Sequence, residues 1–460
     1  MDDSNPDAQS TEAHEAIQQL CKPHNVELLW ADRSYRKTLA AKLTRYSQVP
    51  TEIVEFALLG DPRCDNHTGA CRNTLLLLSA GNPSVQVDDD IFCKMIPSPD
   101  NVDGIALVSD SSCFRYQFFH ADKHLWPDAI DDTESNFFSL HEELLGKHPA
   151  EILRKKQVLN VDSLGNQLLE KIGDPKSRIV TTFTGVYGDS GMFRHWQRLC
   201  LEGESFRQLV NDPSSYRDYL CTRQLLRVPS QTTIGESPFC MAGVIGLDTR
   251  NMLPPFMPVQ RNQDGVFGKL LHLNFKQAIQ GYSPWAVYHQ PTHRASHVEL
   301  SHALHVGPLR VSDILIALLS SLSEWPFGSD SNVNLNTTGS YLNDLSRLPA
   351  KNFKAHTLEA CWKMCHKQIS YLNFCLNDRP HAPEYWKKDV QQVLSNFQLL
   401  LQREDASTPC DLDGNASERL ELFQELVGKF GQLLIYWPTI WEGYCYINKE
   451  FSEVVQINRQ

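Results

Sequence analysis

The chain predicts an α/β protein in which a mostly parallel sheet is flanked by helices and followed by an α-helical C-terminal region. Three observations lead there. Residues 11–90 alternate between helical and strand-like apolar spacing, the pattern of a layered sheet with crossover helices. A second ordered block runs from about 237 to 300. From Val311 onward the apolar residues recur at helical spacing. That change sets the expected division into an α/β domain over 1–304 and a helical domain over 305–460.

Taken in order, Thr11–Leu20 has helical spacing, Val26–Trp30 reads as a strand, Tyr35–Tyr46 as a helix and Ile53–Leu59 as a strand. Thr68-Gly69-Ala70-Cys71-Arg72-Asn73 opens a helix that runs through Leu78 and Ala80 and stops at Gly81-Asn82-Pro83. A short apolar strand, Val85–Val87, then leads straight into Asp88-Asp89-Asp90. Ligands of parallel α/β sheets bind beyond the carboxyl ends of the strands, which is where these acids fall. Residues 93–235 are less regular, with a candidate strand at Phe114–Phe119, candidate helices at Ala150–Lys156 and Leu164–Ile172, and an amphipathic stretch at Arg194–Val210. Helices are expected over Ile314–Leu322, His356–Leu376, Tyr385–Leu401 and Ser417–Tyr436, with polar loops at Gly328–Tyr341 and Arg403–Asn415.

Composition narrows the function. At 460 residues, 41% hydrophobic and 10% aromatic, the chain can bury a substantial core. A net charge of -12 argues against a general nucleic-acid binder, which needs a basic face. The richest apolar runs, Leu75–Leu78 and Ile314–Leu322, are too short to span a bilayer, so no transmembrane segment is expected. The acidic start, Met1-Asp2-Asp3-Ser4-Asn5, has no leader character. Thirteen scattered cysteines suit reduced thiols, and the two together predict a cytoplasmic location. Neither Cys361 with Cys365 nor Cys64 with Cys71 has the second ligand pair that a zinc site requires.

The acidic triplet is the strongest chemical signal. Three adjacent carboxylates repel by roughly 1 kcal/mol or more per pair. They are tolerated as a solvated turn, or where a hard cation such as Mg2+ or Mn2+ neutralises them beside a diphosphate.

Three blocks belong with it. Gly69-Ala70-Cys71-Arg72-Asn73 precedes the acids; Pro238–Gly268 contains Arg261-Asn262-Gln263-Asp264-Gly265-Val266-Phe267-Gly268; and Val287-Tyr288-His289-Gln290-Pro291-Thr292-His293-Arg294 follows. In this order they resemble the GT-A fold glycosyltransferases, of the broad family 2 type that uses nucleotide-diphosphate sugars. The likeness covers roughly residues 1–300. It implies transfer of a sugar from a nucleotide-diphosphate sugar to an acceptor hydroxyl with inversion, and Mn2+ or Mg2+ as cofactor.

By that resemblance Asp88 and Asp90 hold the metal on the donor diphosphate, and Asp89 turns toward the sugar or a neighbouring backbone. Arg72, in the helix-opening Gly-x-x-Arg-Asn, belongs to the donor site with Asp88 and Asp89. Asp264 takes the place of the base, and Gln263 stands where an acid is common. His289 completes the metal shell, with His293 as second choice. Asp2 and Asp3 match the acids that contact the nucleotide base, although the β-α-β unit expected ahead of them is missing. Arg261 and Arg294 are either diphosphate ligands or ordinary surface arginines.

The acceptor, whether glycan, peptide, lipid carrier or small molecule, carries no signature. Two other readings stay open: a non-catalytic GT-A-like protein that binds a partner, and a nucleotide-sugar hydrolase or nucleotidyltransferase using the same metal site. Thr184-Gly185-Val186-Tyr187-Gly188-Asp189-Ser190-Gly191 reads as a loop of small residues that either lines the acceptor path or forms a turn, and its Gly-Asp-Ser-Gly lacks the context of a serine-nucleophile elbow. Trp437, Trp441, Tyr444 and Tyr446 either stack on an acceptor or pack in the helical region.

Overall fold

The computed structural model describes residues 8–109, 113–119, 136–155, 158–292 and 294–457. Its strands are β1 (Pro83–Val87), β2 (Ile91–Pro97), β3 (Ile105–Val108), β4 (Phe114–Phe118), β5 (Val158–Ser163), β6 (Arg178–Asp189), β7 (Gln224–Pro229), β8 (Thr232–Gly235), β9 (Val244–Asp248) and β10 (Ala278–His289). They form one 10-stranded sheet in the order β1-β9-β6-β10-β8-β3-β5, with β2 on β10, β7 on β6 and β4 on β7. The two longest strands, β6 and β10, run parallel to each other at its centre. Ile179, Phe183, Tyr187, Ile279, Tyr282 and Val287 along them are almost fully buried, as expected where helices or strands cover both faces.

The protein is α/β with helices flanking a mixed sheet and a helical C-terminal region. The expectation of a mostly parallel sheet is corrected. Among the described residues only β6–β10, β3–β5 and β3–β8 are parallel. The pairs β1–β9, β2–β10, β8–β10, β4–β7, β6–β7 and β6–β9 are antiparallel. The error lies in the N-terminal alternation. Ile53–Leu59 belongs to the helix Thr51–Leu59, which buries Ile53, Val54, Phe56, Ala57 and Leu58; a short continuous apolar run does not distinguish strand from buried helix. Val26–Trp30 is not a strand, and Val26 and Leu29 are exposed.

Gly328–Tyr341, read as a loop, is largely the helix Ser331–Ser346. Asp330 caps it by accepting the Asn332 and Val333 N–H groups. Leu335, Thr338, Gly339, Leu342 and Leu345 face inward, and asparagine, serine and threonine fill much of the remainder, which hid the period. A Cβ on Gly339 would stand 2.5 Å from the Gly431 carbonyl oxygen, so this helix meets the long helix Ala416–Ile457 at backbone contact.

One hydrophobic cluster joins Leu39, Phe56 and Leu76 of the N-terminal helices to Phe256, Phe267, Leu315, Leu335, Phe430 and Trp437. A second joins Trp196, Leu209 and Tyr216 to Trp386, Val390 and Phe397. Of the four C-terminal aromatics, Trp437, Trp441 and Tyr444 resolve as packing and Tyr446 is exposed; Trp437 Nε1 donates to the Leu253 carbonyl at 2.7 Å. Among the described residues no helix is long and apolar enough to cross a membrane.

Candidate functional site

A cavity of about 760 Å³ opens beside the carboxyl ends of β1 and β10. Asp88, Asp89, Asp90, Asp264 and His289 all line it, although they come from three separate parts of the chain.

The acid end is built from strand register. The β1–β9 pairing ends at Val87 opposite Val244, and the Asp88 N–H donates to the Gly243 carbonyl at 2.9 Å. The turn through Asp89 closes with the Ile91 N–H on the Asp88 carbonyl at 3.3 Å. β2 then pairs antiparallel with β10, placing Ile91 opposite His289. That register sets Asp90 Oδ2 at 3.2 Å from His289 Nε2.

The other ring nitrogen, His289 Nδ1, lies 2.6 Å from the Asp189 carbonyl oxygen at the end of β6. A carbonyl only accepts, so Nδ1 carries the hydrogen and Nε2 is the nitrogen presented to Asp90. Burial opposes the imidazolium, but Asp90 and the Asp189 carbonyl outweigh it and raise the His289 pKa. The same contact with His289 holds the Asp90 carboxyl below its ordinary range against burial.

Gly69-Ala70-Cys71-Arg72-Asn73 supports this end from beneath. A Cβ on Gly69 would sit 1.8 Å from the Met257 carbonyl oxygen, so only glycine lets the helix Thr68–Leu78 approach that loop. Asn73 fastens the same loop, accepting the Phe256 N–H at 2.7 Å and donating to the Phe256 and Ala57 carbonyls at 3.0 and 3.1 Å. Arg72, buried, donates to Asp88 Oδ1 at 2.5 Å, Gln86 Oε1 at 3.1 Å and the Ala242 carbonyl at 2.6 Å. It stands behind the cavity wall rather than in it, so the structure gives it a positioning role toward Asp88. Burial nonetheless pushes the Asp88 carboxyl up to about 6; Arg72 opposes this, while Asp90, Asp264 and Asp89 add to it.

Asp264 occupies the first turn of the helix Gln263–Asn274. Its Oδ2 accepts the Ala242 N–H at 3.2 Å and its Oδ1 the Gly265 N–H at 3.0 Å, which fixes the carboxylate while one side faces the cavity. The preceding turn holds two non-glycine residues in the left-handed region, Gln260 (φ 66) and Asn262 (φ 68). Such backbone persists where surroundings impose it. Here the Gln260 N–H donates to the Asn66 carbonyl at 2.9 Å, and its side-chain amide to the Asp411 carbonyl at 2.6 Å.

The remaining wall is basic: Arg194, Arg223, Arg227, Arg261, Arg294 and Arg310 line the cavity, with Asp313 as its further acid. Arg223 Nε pairs with buried Asp189 at 2.9 Å, and Arg294 approaches the same carboxylate at 3.9 Å. Arg227 is buried among the rings of Phe114, Tyr116 and Phe239. Of these arginines, sequence reading raised only Arg261 and Arg294. The others are scattered from 194 to 310 with no common spacing, and only the fold collects them. The stretch Thr184–Gly191, read as a loop, belongs to β6 as far as Asp189, and Asp189 was visible only as the acid of that loop, not as the residue whose carbonyl orients His289. Asp2, Asp3 and His293 lie outside the described residues.

Comparison of the chain with known protein families, with characterised proteins and with solved structures finds no match. The site therefore stands on its own chemistry. Among the described residues, no group of three or more His, Cys, Asp or Glu side chains is gathered closely enough to hold a metal ion. The pair Asp90–His289 nonetheless presents a carboxylate and an imidazole nitrogen to one point, with the outer Nδ1–H held by a carbonyl, the support that metal-ligating histidines have. Asp88, held by Arg72, does not join this pair into such a group, so a hard divalent cation here would draw Asp88 toward Asp90 and His289.

Proposed function

We propose that the chain is a metal-dependent glycosyltransferase of GT-A-like construction, moving a sugar from a nucleotide-diphosphate sugar to an acceptor hydroxyl with inversion. One observation supports the reading: Asp88, Asp90, His289 and Asp264, singled out in sequence by the resemblance, line one cavity. Asp88, Asp90 and His289 would hold Mn2+ or Mg2+ on the donor diphosphate, with Asp89 toward the sugar. A cation there supplies neutralisation of the charge that develops on the leaving group, an effect of several kcal/mol.

The chain's own residues do the rest. Asp264 accepts the proton of the acceptor hydroxyl, and the hydroxyl oxygen bonds to the anomeric carbon. The bond from that carbon to the diphosphate oxygen breaks, and the nucleoside diphosphate leaves with the electron pair. A single displacement with one base inverts the anomeric centre. Arg72 keeps Asp88 in place, and Asp189 sets the His289 ring. All thirteen cysteines are free, which suits the reducing cytoplasm this reading assumes.

A second reading, a ligand-binding protein without turnover, is favoured by the pairing of Asp88 with Arg72 and of Asp90 with His289, since each acid already has a cationic partner. Calorimetry with UDP and GDP, with and without Mn2+, separates the two when combined with Asp264→Asn. Mn2+-dependent nucleotide binding in both proteins, with sugar transfer lost in the variant, is expected. Turnover that survives in Asp264→Asn removes the base assignment, and absence of nucleotide binding removes the transferase.

A further inference from the structure

The cavity divides by charge. Its acids other than Asp313 sit on the β1 turn and at Asp264, while the far wall gathers arginines in a chain whose net charge is -12. Three of these, from separate segments, meet around the start of the helix Val311–Ser320. Arg194 NH2 pairs with Asp313 Oδ2 at 2.7 Å, and that same oxygen accepts the Arg310 N–H at 3.1 Å. Ser312 Oγ donates to the Arg261 carbonyl at 2.8 Å, binding the Arg261 backbone to the start of the helix Val311–Ser320. The guanidinium of Arg310 lies 3.6 Å from the ring centroid of Phe193, which fixes its plane and leaves its N–H edge to the cavity.

Neither Arg261 nor Arg310 forms an ion pair with a carboxylate among the described residues. The helix terminus is not itself the attraction, because Asp411 Oδ1 already takes the Val311 N–H at 2.9 Å. Arg223 and Arg294 are differently placed: both turn to Asp189, next to the Asp90–His289 pair, on the side where a donor diphosphate would lie. Arg261, in contrast, stands three residues ahead of Asp264 on the turn that delivers that carboxylate.

Resting on the transferase reading, we infer that the acceptor is anionic: a carboxylate- or phosphate-bearing sugar or small molecule whose oxyanion is taken by Arg261 and Arg310, which brings its hydroxyl to Asp264. Planar guanidinium groups match such oxyanions in bidentate fashion. A neutral acceptor would leave two unpaired guanidinium groups facing it.

The test is calorimetry on the full chain, in Mn2+ with saturating UDP or GDP, titrated in turn with glucuronate, glucose 6-phosphate and glucose. The two charged sugars should bind and glucose should not at the same concentrations; the tighter of the two tells carboxylate from phosphate. Arg261→Gln combined with Arg310→Gln should weaken the charged sugars at least tenfold and leave nucleotide affinity within twofold. Absence of binding by both charged sugars, equal binding of glucose, or unchanged binding in the double variant overturns the inference. If neither nucleotide binds but the charged sugars do, and the double variant loses them, the anion site stands and the transferase reading falls.

Discussion

At one end of the cavity Asp88 and Asp90 each meet a cation that the protein supplies, whereas at the other only Arg194 pairs with an acid, Asp313, and among the described residues the Arg261 and Arg310 side chains pair with none. The first end is internally balanced and held by sheet register and a buried arginine. The second is unbalanced and held by loop backbone and one aromatic ring. An internally balanced cluster keeps its geometry without ligand. An unbalanced one keeps its electrostatic cost until something neutralises it. On this comparison, mutations at the acid end should damage chemistry and folding together, and mutations at the arginine end should damage recognition alone.

The largest effect is expected where the two ends meet. Asp264→Asn removes the proton acceptor and keeps an oxygen for only one of the Ala242 and Gly265 N–H groups, which bond to different carboxylate oxygens. The kcat should fall about 10^2- to 10^4-fold, with nucleotide affinity close to the parent and stability lower by about 1 kcal/mol for the lost hydrogen bond. A parent-like kcat would place the base elsewhere.

Next comes Arg72→Met, which tests whether the acid end is structural as well as chemical. The variant strands Asp88 Oδ1, Gln86 Oε1 and the Ala242 carbonyl. Loss of hydrogen bonds from a buried charged group costs about 2 to 3 kcal/mol, read in urea unfolding, and Mn2+ affinity should fall in parallel. A variant with parent stability and weaker Mn2+ binding would instead make Arg72 a ligand-facing group.

The acid end was more legible in sequence than the arginine end, and the reason is physical. Gly69, Arg72, Asn73 and Asp88–Asp90 stand in two short motifs whose residue types and order carried the resemblance, although their partners Met257, Ala242 and Phe256 are distant in sequence. Asp264 and His289 stand at element ends with few alternatives nearby. The arginines act through a shape that only tertiary packing creates, and a lone arginine in sequence looks like a surface residue. The same split applies to the fold. The helices Ala350–Asp378 and Glu384–Gln402 were readable from amphipathic period, as was the acid-bearing strand β1. The direction of strand pairing was not, because an apolar run such as Val54–Leu58 satisfies strand and buried helix alike. The helix Ser331–Ser346 was missed because asparagine, serine and threonine fill much of it, and Gly339, packed on Gly431, interrupts its inner face between Leu335 and Leu342.

A smaller effect probes the interior under each region. His141 lies beside Thr182 of β6 at 2.8 Å; His195 follows Arg194 under the arginine end. Both are pushed down to about 4 by burial, with Arg198 and Arg223 adding to it at His195. In the unfolded chain each takes up a proton near the ordinary 6.5. Between those values the unfolded state binds more protons, so stability is intact above the upper value and is lost as pH falls toward the lower. The slope is roughly 1.4 kcal/mol per pH unit for each histidine. Urea midpoints from pH 7.5 to 4.5 should drop accordingly, and His141→Gln and His195→Gln should each flatten the curve. If the arginine excess reaches the interior, His195→Gln flattens it more; equal flattening would confine that excess to the cavity surface.

The smallest effect separates the position of a charge from its presence. Phe193→Leu leaves Arg310 charged but removes the ring that fixes its guanidinium plane at 3.6 Å. A cation–π contact at a partly exposed site is worth about 0.5 to 1 kcal/mol, so affinity for glucuronate or glucose 6-phosphate should weaken only about two- to fivefold. Arg310→Gln in the same titration should cost more, since it deletes the charge itself. If the two substitutions cost the same, orientation rather than charge makes this wall selective, and Phe193 becomes part of the recognition surface. If Phe193→Leu costs nothing, the guanidinium finds its oxyanion without help, and the arginine end acts through its charge excess alone.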